Sequence, residues 1–161
     1  MDKVSVRKPT PALTTYTDTR TMELIDDHYC FVCGKKNPIG LKLDFVFDGK
    51  TIRTEFMPKK EHQGYFNIVH GGIISTLLDE VMVKLAIELG MPAVTAQMDI
   101  RLKKALNVGE QITVSAEITK DSRKIIEAYA KAVTDDGVIV ADAKGKMMKI
   151  MTEIKFASGK D

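Results

Sequence analysis

One long apolar stripe, placed directly after a His-Gly-Gly triplet, constrains the fold of this chain more than any other feature. Apolar residues recur at steps of three and four between positions 73 and 89, which predicts a helix with one buried face. The residues of the stripe are Ile73, Ile74, Leu77, Leu78, Val81, Met82, Leu85 and Leu89. Gly90 and Pro92 follow it and are typical of a helix end. The sequence therefore predicts one long helix that packs along one side.

Strand-like segments flank this helix on both sides. Leu41 to Phe47 alternates apolar and polar residues, and Asp48-Gly49 predicts a turn into a second run at 51–57. Four further runs follow the helix, at 94–104, 110–120, 124–134 and 138–151. Asp135-Asp136-Gly137 is a strong hairpin signal between the last two runs. Because hairpins follow one helix, the order favours an antiparallel sheet packed on that helix, an α+β domain.

Length and charge limit the class of protein. A chain of 161 residues fits one domain with a real core. Its 24 Lys and Arg against 22 Asp and Glu indicate neither a nucleic-acid partner nor an anionic membrane, and no apolar run is long enough to span a bilayer. Residues 1–20 lack an apolar signal segment. We expect them to form a mobile arm before a domain at 21–161, and we expect a cytoplasmic protein.

The start of the helix and one residue along it suit chemistry on an acyl carbonyl. Gly71 and Gly72 lack Cβ atoms, so a ligand can approach the unpaired N–H groups and the partial positive charge of the helix N-terminus. Asp79 falls off the apolar stripe, in line with Gly72 and Ser75, and offers a carboxylate. The structural alternative is that the two glycines form an ordinary turn and that Asp79 is solvated.

A longer set of strings carries a family resemblance. The central strings are His62-Gln63-Gly64, residues 68–74 from Ile68 to Ile74, and Leu77-Leu78-Asp79-Glu80. The flanking strings are Cys30-Phe31-Val32-Cys33-Gly34, Asn37-Pro38-Ile39-Gly40-Leu41 and residues 95–100 from Thr95 to Ile100. Together they resemble hotdog-fold thioesterases of the PaaI-like type, over roughly residues 30 to 150. The resemblance implies an antiparallel sheet wrapped around one long central helix, which agrees with the pattern above. It also implies a hydrolase that acts on acyl-CoA and assembles as a homodimer, and the sequence leaves open whether dimers pair into a homotetramer.

Chemistry and resemblance together assign roles to four residues. The Gly71 N–H would stabilise the carbonyl oxygen as it gains negative charge. Asp79 would activate water as a general base or attack the carbonyl directly, and the sequence leaves both routes open. Thr95 matches the family position that orients the attacking water, although by itself it reads as an ordinary strand threonine. His70 would bond the thioester or orient a loop, or it caps the helix.

The carbonyl-binding partner departs from the family pattern. Many PaaI-like enzymes carry an Asn six residues before the histidine of the HGG string, where this chain has Gly64. Asn67 and Gln63 lie close in sequence, so Asn67, together with Gly72, is our candidate for substrate binding.

The spacing of the two chemical groups predicts a shared site. Gly71 and Asp79 are eight residues apart, which is about 12 Å along a helix. One thioester carbon cannot comfortably touch both within a single chain. We therefore expect a dimer, in which antiparallel helices bring the Gly71 end of one chain to the Asp79 region of the other.

Arg101, Lys103 and Lys104 form a basic cluster after Thr95. Lys and Arg are the usual partners of the phosphates that coenzyme A carries, so these residues are candidates for substrate binding. The alternative is a solvated strand end, which is common in charged chains.

Cys30 and Cys33 form one C-x-x-C motif. Without a second such motif the ligand set for zinc is incomplete, and the βαβ context of a redox pair is missing. We therefore predict two reduced, partly buried cysteines in a turn that ends at Gly34, and neither a metal nor a cofactor.

Two other functions are alternatives to thioester hydrolysis for a chain of this kind. Hotdog domains also serve as non-catalytic acyl-CoA-binding or sensor modules, and hotdog dehydratases exist. Asp79 and Thr95 together favour the enzyme over the sensor. A dehydratase needs a different catalytic pair, and His28, His62 and His70 are the only histidines.

Overall fold

The computed structural model describes residues 24–150 and 154–156. Within these residues, one helix, α1 (Gly71–Glu88), accompanies ten strands and a short 3-10 turn at Lys60–His62. The strands are β1 (Leu24–Asp26), β2 (Val46–Phe47), β3 (Thr51–Phe56), β4 (Gln63–Tyr65), β5 (Ile68–Val69), β6 (Ala93–Leu102), β7 (Ile112–Asp121), β8 (Ile125–Thr134), β9 (Ile139–Lys149) and β10 (Ile154–Phe156). The predicted arm at residues 1–20 lies outside the described residues.

Six of these strands form one antiparallel sheet in the order β2-β3-β7-β8-β9-β6. The remaining strands form two small pairs, β1 with β10 and β4 with β5. Helix α1 packs against the large sheet, mainly against β7, β8 and β6. The predicted α+β arrangement, with one central helix and a large antiparallel sheet, is confirmed.

The core lies between α1 and one face of the sheet. Leu77, Leu78, Val81, Met82 and Leu85 of the predicted stripe are fully buried. Along the neighbouring strands, buried and less buried residues alternate, as in a sheet with one face on a core. Each buried aliphatic side chain of this size stabilises the fold by about 1.5–3 kcal/mol, so the helix stripe alone fixes which face of α1 meets the sheet.

The largest difference from prediction lies before the helix. The run at 41–47 enters the sheet only as β2. The reason is that Leu41 N–H donates to Phe31 O at 2.8 Å and Leu43 N–H donates to Val32 O at 2.9 Å, so this backbone pairs with the cysteine-containing turn instead of with the sheet. The apolar side chains still reach the core.

The helix end matches the prediction. Helix α1 ends at Glu88, and Gly90 takes a positive φ of 73°, which glycine adopts without steric cost. Within the described ranges, no helix combines the length and apolar character that a membrane crossing requires.

Candidate active site

The N-terminus of α1 leaves one backbone donor free. The His70 side chain caps the helix, since its Nδ1 accepts the Gly72 N–H at 2.9 Å. The His70 carbonyl accepts the Ile73 N–H at 2.9 Å. The N–H of Gly71 has no hydrogen-bond partner among the described residues. The helix start therefore presents a free donor at its positive end, as a carbonyl-binding group requires.

A cleft of about 310 Å³ opens beside this donor. Its lining residues include Tyr65, Ile68, Gly71, Ile74, Leu102 and Lys103. A Cβ atom at position 71 would lie 2.7 Å from Leu102 Cδ1, so a side chain there would push into the cleft wall. A glycine at this position keeps open the space between the start of α1 and the end of β6, and the cleft is mostly apolar, as acyl-binding pockets are.

Asp79 and Thr95, predicted from separate strings, meet in the structure. The Thr95 hydroxyl donates a hydrogen bond of 2.6 Å to Asp79 Oδ1, and both side chains are half-buried. Asp79 projects from the middle of α1, and Thr95 lies on β6, the edge strand of the large sheet. The carboxylate is therefore oriented by a neutral donor and keeps oxygen lone pairs for another partner.

A β-bulge determines where Thr95 points. On β6, Thr95 pairs with Met147 and Gln97 pairs with Lys146, so Ala96 is the extra residue. Thr95 meets the helix before the bulge, whereas Met98 and Ile100 pack on the core after it. The bulge thus changes which residues of β6 face α1, a common device for aiming a side chain beside a functional site.

The departure at position 64 has a steric explanation. A Cβ atom on Gly64 would lie 3.2 Å from both Cα and Cδ2 of His70, which is tighter than most real contacts. An asparagine at position 64 would therefore require His70 to shift. Asn67 is exposed and has a φ of 60°, a conformation that Asn tolerates in turns. Its backbone N–H donates to Gln63 Oε1 at 3.4 Å, which accounts for a role in the turn, and its role in substrate binding remains a prediction.

His62 holds the segment before the helix, a role that the sequence did not reveal. Its Nδ1 accepts the Lys59 N–H at 2.9 Å, and its carbonyl accepts the His70 N–H at 2.9 Å. Its ring centroid lies 5.2 Å from that of Phe56. Burial lowers the pKa of His62 below its ordinary value, and the charge of Lys59 lowers it further against the opposing effect of Glu61.

The predicted phosphate-binding cations all have acidic partners within the chain. Arg101 Nε donates to Asp142 Oδ1 at 2.9 Å, Lys103 contacts Asp142 Oδ2, and Lys104 Nζ lies 3.8 Å from Glu110 Oε1. Asp142 is 2% exposed. Burial acts to raise the pKa of Asp142, but the two cations lower it below its ordinary value. Phosphate binding by this cluster remains a prediction.

Cys30 and Cys33 are free thiols, each half-buried, in a turn that continues to Gly34. Burial, followed by the negative charge of Glu80, raises the pKa of Cys33 to about 12. The proximity of Glu80 was not foreseen, because it lies 50 positions from Cys30.

One central helix on a large antiparallel sheet is the architecture of the hotdog fold. Among the described residues, it carries a free amide at the helix start and an oriented carboxylate halfway along. Residues 66–141 match the family model of the Thioesterase superfamily. This match spans 76 of the chain's 161 residues, a little under half of its length, and the chain is similar to the superfamily over that central part.

A curated relative shows the same similarity. Human acyl-coenzyme A thioesterase 13 is 32% identical over 79 residues, a match that covers 48% of this chain and 56% of the human protein. The match thus spans little more than half the length of that relative.

Two solved structures share the fold. A hypothetical thioesterase from Streptococcus pneumoniae, solved with coenzyme A, has a TM-score of 0.65 at 21% identity and covers 70% of this chain and 90% of that chain. Two variants of that protein replace an aspartate and a threonine, 16 positions apart, by alanine. The PaaI protein of Escherichia coli has a TM-score of 0.66 at 18% identity, covering 73% of this chain and 84% of that one. The hotdog fold and the PaaI-like resemblance are confirmed.

Proposed function

We propose that this protein is an acyl-CoA thioesterase, which hydrolyses an acyl-CoA thioester to a free acid and CoA. The observation that carries the proposal is the 2.6 Å hydrogen bond from Thr95 to Asp79 beside the edge strand of the sheet. The same 16-residue spacing separates the aspartate and the threonine that were replaced in the pneumococcal variants. The name of the human relative supports acyl-CoA as the substrate class.

In this proposal, the free N–H of Gly71 binds the thioester carbonyl oxygen. The oxygen gains negative charge when the carbonyl carbon becomes tetrahedral, and a fixed donor at the positive end of α1 stabilises that charge. Loss of one such donor typically costs about 3 kcal/mol of transition-state stabilisation. His70 assists by capping Gly72, which holds the first turn in place.

Asp79 supplies the second half of the reaction. As a general base, its carboxylate takes a proton from water while the water oxygen attacks the carbonyl carbon. The C–S bond then breaks, and the CoA thiolate leaves and takes up a proton. As a nucleophile, the carboxylate attacks the carbonyl carbon, the C–S bond breaks, and the CoA thiolate leaves and takes up a proton. Water then hydrolyses the resulting anhydride to the free acid and regenerates Asp79. Thr95 orients the carboxylate in both routes.

We further propose that two chains form each site. Among the described strands, β6 pairs only with β9, so its other side offers free backbone groups to a second copy. Tyr65 and Phe66 beside the start of α1 are 82% and 90% exposed in the single chain, as expected for residues that an interface covers. A two-fold axis beside β6 would bring Gly71 of one chain to Asp79 of its partner, and such dimers can pair further into tetramers.

An acyl-CoA panel with free-thiol detection tests the proposal. Asp79→Asn should lower turnover on the best substrate by at least about a hundredfold, because general-base contributions are of that size. Asp135→Asn is the matched control, since it removes an exposed carboxylate from the turn between β8 and β9, away from α1 and β6. Wild-type turnover in the Asp79 variant would remove Asp79 from the mechanism. CoA binding by calorimetry without turnover on any panel member would instead support the non-catalytic sensor.

A further inference from the structure

The cysteine knuckle, which we define as residues 30–34, is a tight turn that hydrogen bonds to Cys30 hold in place. The Gly34 N–H donates to Cys30 O at 2.9 Å, and the Val32 N–H donates to Cys30 Sγ at 3.4 Å. A Cβ at position 34 would lie 2.4 Å from Cys30 N, so the turn closes only with glycine there. Backbone donation to the Cys30 sulfur favours its thiolate, the form in which cysteine binds metals, whereas Cys33, with its raised pKa, would release its proton when an ion binds.

Helix α1 brings a third ligand to the two cysteines. The sulfur atoms of Cys30 and Cys33 and a carboxylate oxygen of Glu80 all lie within 4.8 Å of one another. Glu80 projects from α1 immediately after Asp79, on a different side of the helix. All three side chains are half-buried, so water retains access to the cluster.

We propose that Cys30, Cys33 and Glu80 form a metal site for Zn²⁺ or a similar thiophilic divalent ion, with water as the fourth ligand. The Cys30 Sγ to Glu80 Oε1 distance is 3.6 Å. With Zn–S of about 2.3 Å and Zn–O of about 2.1 Å, tetrahedral angles also place sulfur and oxygen about 3.6 Å apart. The protein therefore holds these two ligand atoms at the separation that tetrahedral coordination of zinc requires.

The charge around the cluster suits such an ion. Two thiolates and one carboxylate would leave a zinc complex with one net negative charge. Lys84 lies one helical turn after Glu80 and interacts with Cys33, Glu80 and Asp26. Its ammonium group is a positioning group that balances this charge and donates to sulfur, as outer-shell partners of metal ligands do.

The bound ion would link the cysteine knuckle to α1 through Glu80, which follows Asp79 in the helix. The site does not depend on thioester hydrolysis, since none of its three ligands is placed in the catalytic reaction. Its expected effect is a more stable junction between the knuckle and the helix, because an ion that binds only the folded state stabilises that state.

Cobalt titration of the full, metal-free protein tests the site. We expect one Co²⁺ per chain, with a thiolate-to-cobalt charge-transfer band that Zn²⁺ abolishes by displacement. Cys30→Ser and Cys33→Ser should each weaken or remove the band. Glu80→Gln should keep thiolate absorption but lower metal affinity about tenfold or more. Glu88→Gln, which removes a carboxylate about two turns further along α1, is the matched control and should bind like wild type.

A second measurement guards against variants that do not fold. In the wild-type protein, both thiols should react with an alkylating reagent when metal-free and should be protected by Zn²⁺. The thermal midpoint should rise on Zn²⁺ addition. Absence of stoichiometric binding, or unchanged affinity in a folded Glu80→Gln protein, would overturn the proposal. Loss of two protons by mass after mild oxidation, with no thiol protection by Zn²⁺, would overturn it in favour of a disulfide pair.

Discussion

Thr95 on β6 donates its hydroxyl to Asp79 on α1 at 2.6 Å, and the β-bulge at Ala96 directly follows the threonine. The bulge changes the alternation along β6: an odd-numbered residue faces the helix before it, and even-numbered residues face the core after it. Without this extra residue, an inward threonine at 95 and inward apolar residues at 98 and 100 could not all occur on one strand. The orientation of the candidate catalytic carboxylate therefore depends on a local irregularity of the sheet.

Removal of the Thr95 hydroxyl should impair turnover while the fold is preserved. Thr95→Val keeps the shape of the side chain but leaves Asp79 without its donor. A hydrogen bond to a charged group contributes about 1.5–3 kcal/mol, so we expect kcat to fall about tenfold to a hundredfold. Steady-state kinetics on the best acyl-CoA measure this effect.

Two variants make the Thr95 experiment specific. Thr95→Ser retains a hydroxyl and should recover most of the activity. Thr119→Val removes a hydroxyl from an exposed position on β7 and should leave kcat unchanged. Equal loss in the Val and Ser variants would show that packing, and not the hydrogen bond, is what Thr95 contributes.

Heterodimers should reveal whether two chains share each site. A chain with Asp79→Asn retains the Gly71 N–H, and a chain with Gly71→Pro retains Asp79 but lacks that N–H. Proline is tolerated at the first position of a helix, so the second variant should fold. If the sites are shared, a mixed dimer holds one complete site of two and recovers about half of wild-type turnover. Differently tagged chains allow the mixed dimers to be purified and assayed.

The glycine substitution needs its own control. Gly71→Ala also places a Cβ against Leu102, but it keeps the N–H. The alanine variant should therefore remain more active than the proline variant. Inactive mixed dimers, each verified to contain both chains, would contradict shared sites.

The basic cluster should act on binding of the nucleotide end of CoA. Lys103→Ala and Lys104→Ala should raise KM more than they lower kcat, since phosphate contacts are distant from the carbonyl and bind ground and transition states alike. The effect should weaken at high salt, because both side chains are exposed. Kinetics at low and high salt measure it.

The ion pairs of Lys103 and Lys104 predict which of the two lysines contributes more to CoA binding. Lys103 contacts the buried Asp142, whereas Lys104 lies near Glu110, so Lys104 should be the more available of the two. A short thioester that lacks the nucleotide should be insensitive to both substitutions, and Lys144→Ala, an exposed lysine of β9, is the matched control. Equal changes with CoA and non-CoA substrates would leave the cluster as a solvated strand end.

His62 should make stability depend on pH. Its folded pKa lies below the ordinary value of 6.5, so below that pH the unfolded chain takes up a proton that the folded chain resists. The stabilisation is present above the unfolded pKa and is lost as pH falls through the folded pKa. Between about pH 7.5 and about pH 5.5, the urea midpoint should fall more for wild type than for His62→Gln, which cannot titrate. Identical shifts in both proteins would assign the pH dependence to other groups.

The sequence by itself determined the elements and the chemical groups. The spacing of apolar residues located α1, the hairpin signals located β7, β8 and β9, and the His-Gly-Gly string located the start of the helix. These signals are local, because periodicity and turn residues report the conformation of a few neighbouring positions. They were sufficient for the α+β class and, through the resemblance, for the hotdog fold.

Only the tertiary structure decided which groups meet. Asp142 pairs with Arg101 from 41 positions away, and Glu80 reaches Cys30 from 50 positions away. Thr95 reaches Asp79 only because the bulge sets the register of β6. A shift of one residue in a strand turns every side chain to the other face. Such contacts are set by the register and packing of whole elements, which the local pattern of the sequence does not specify.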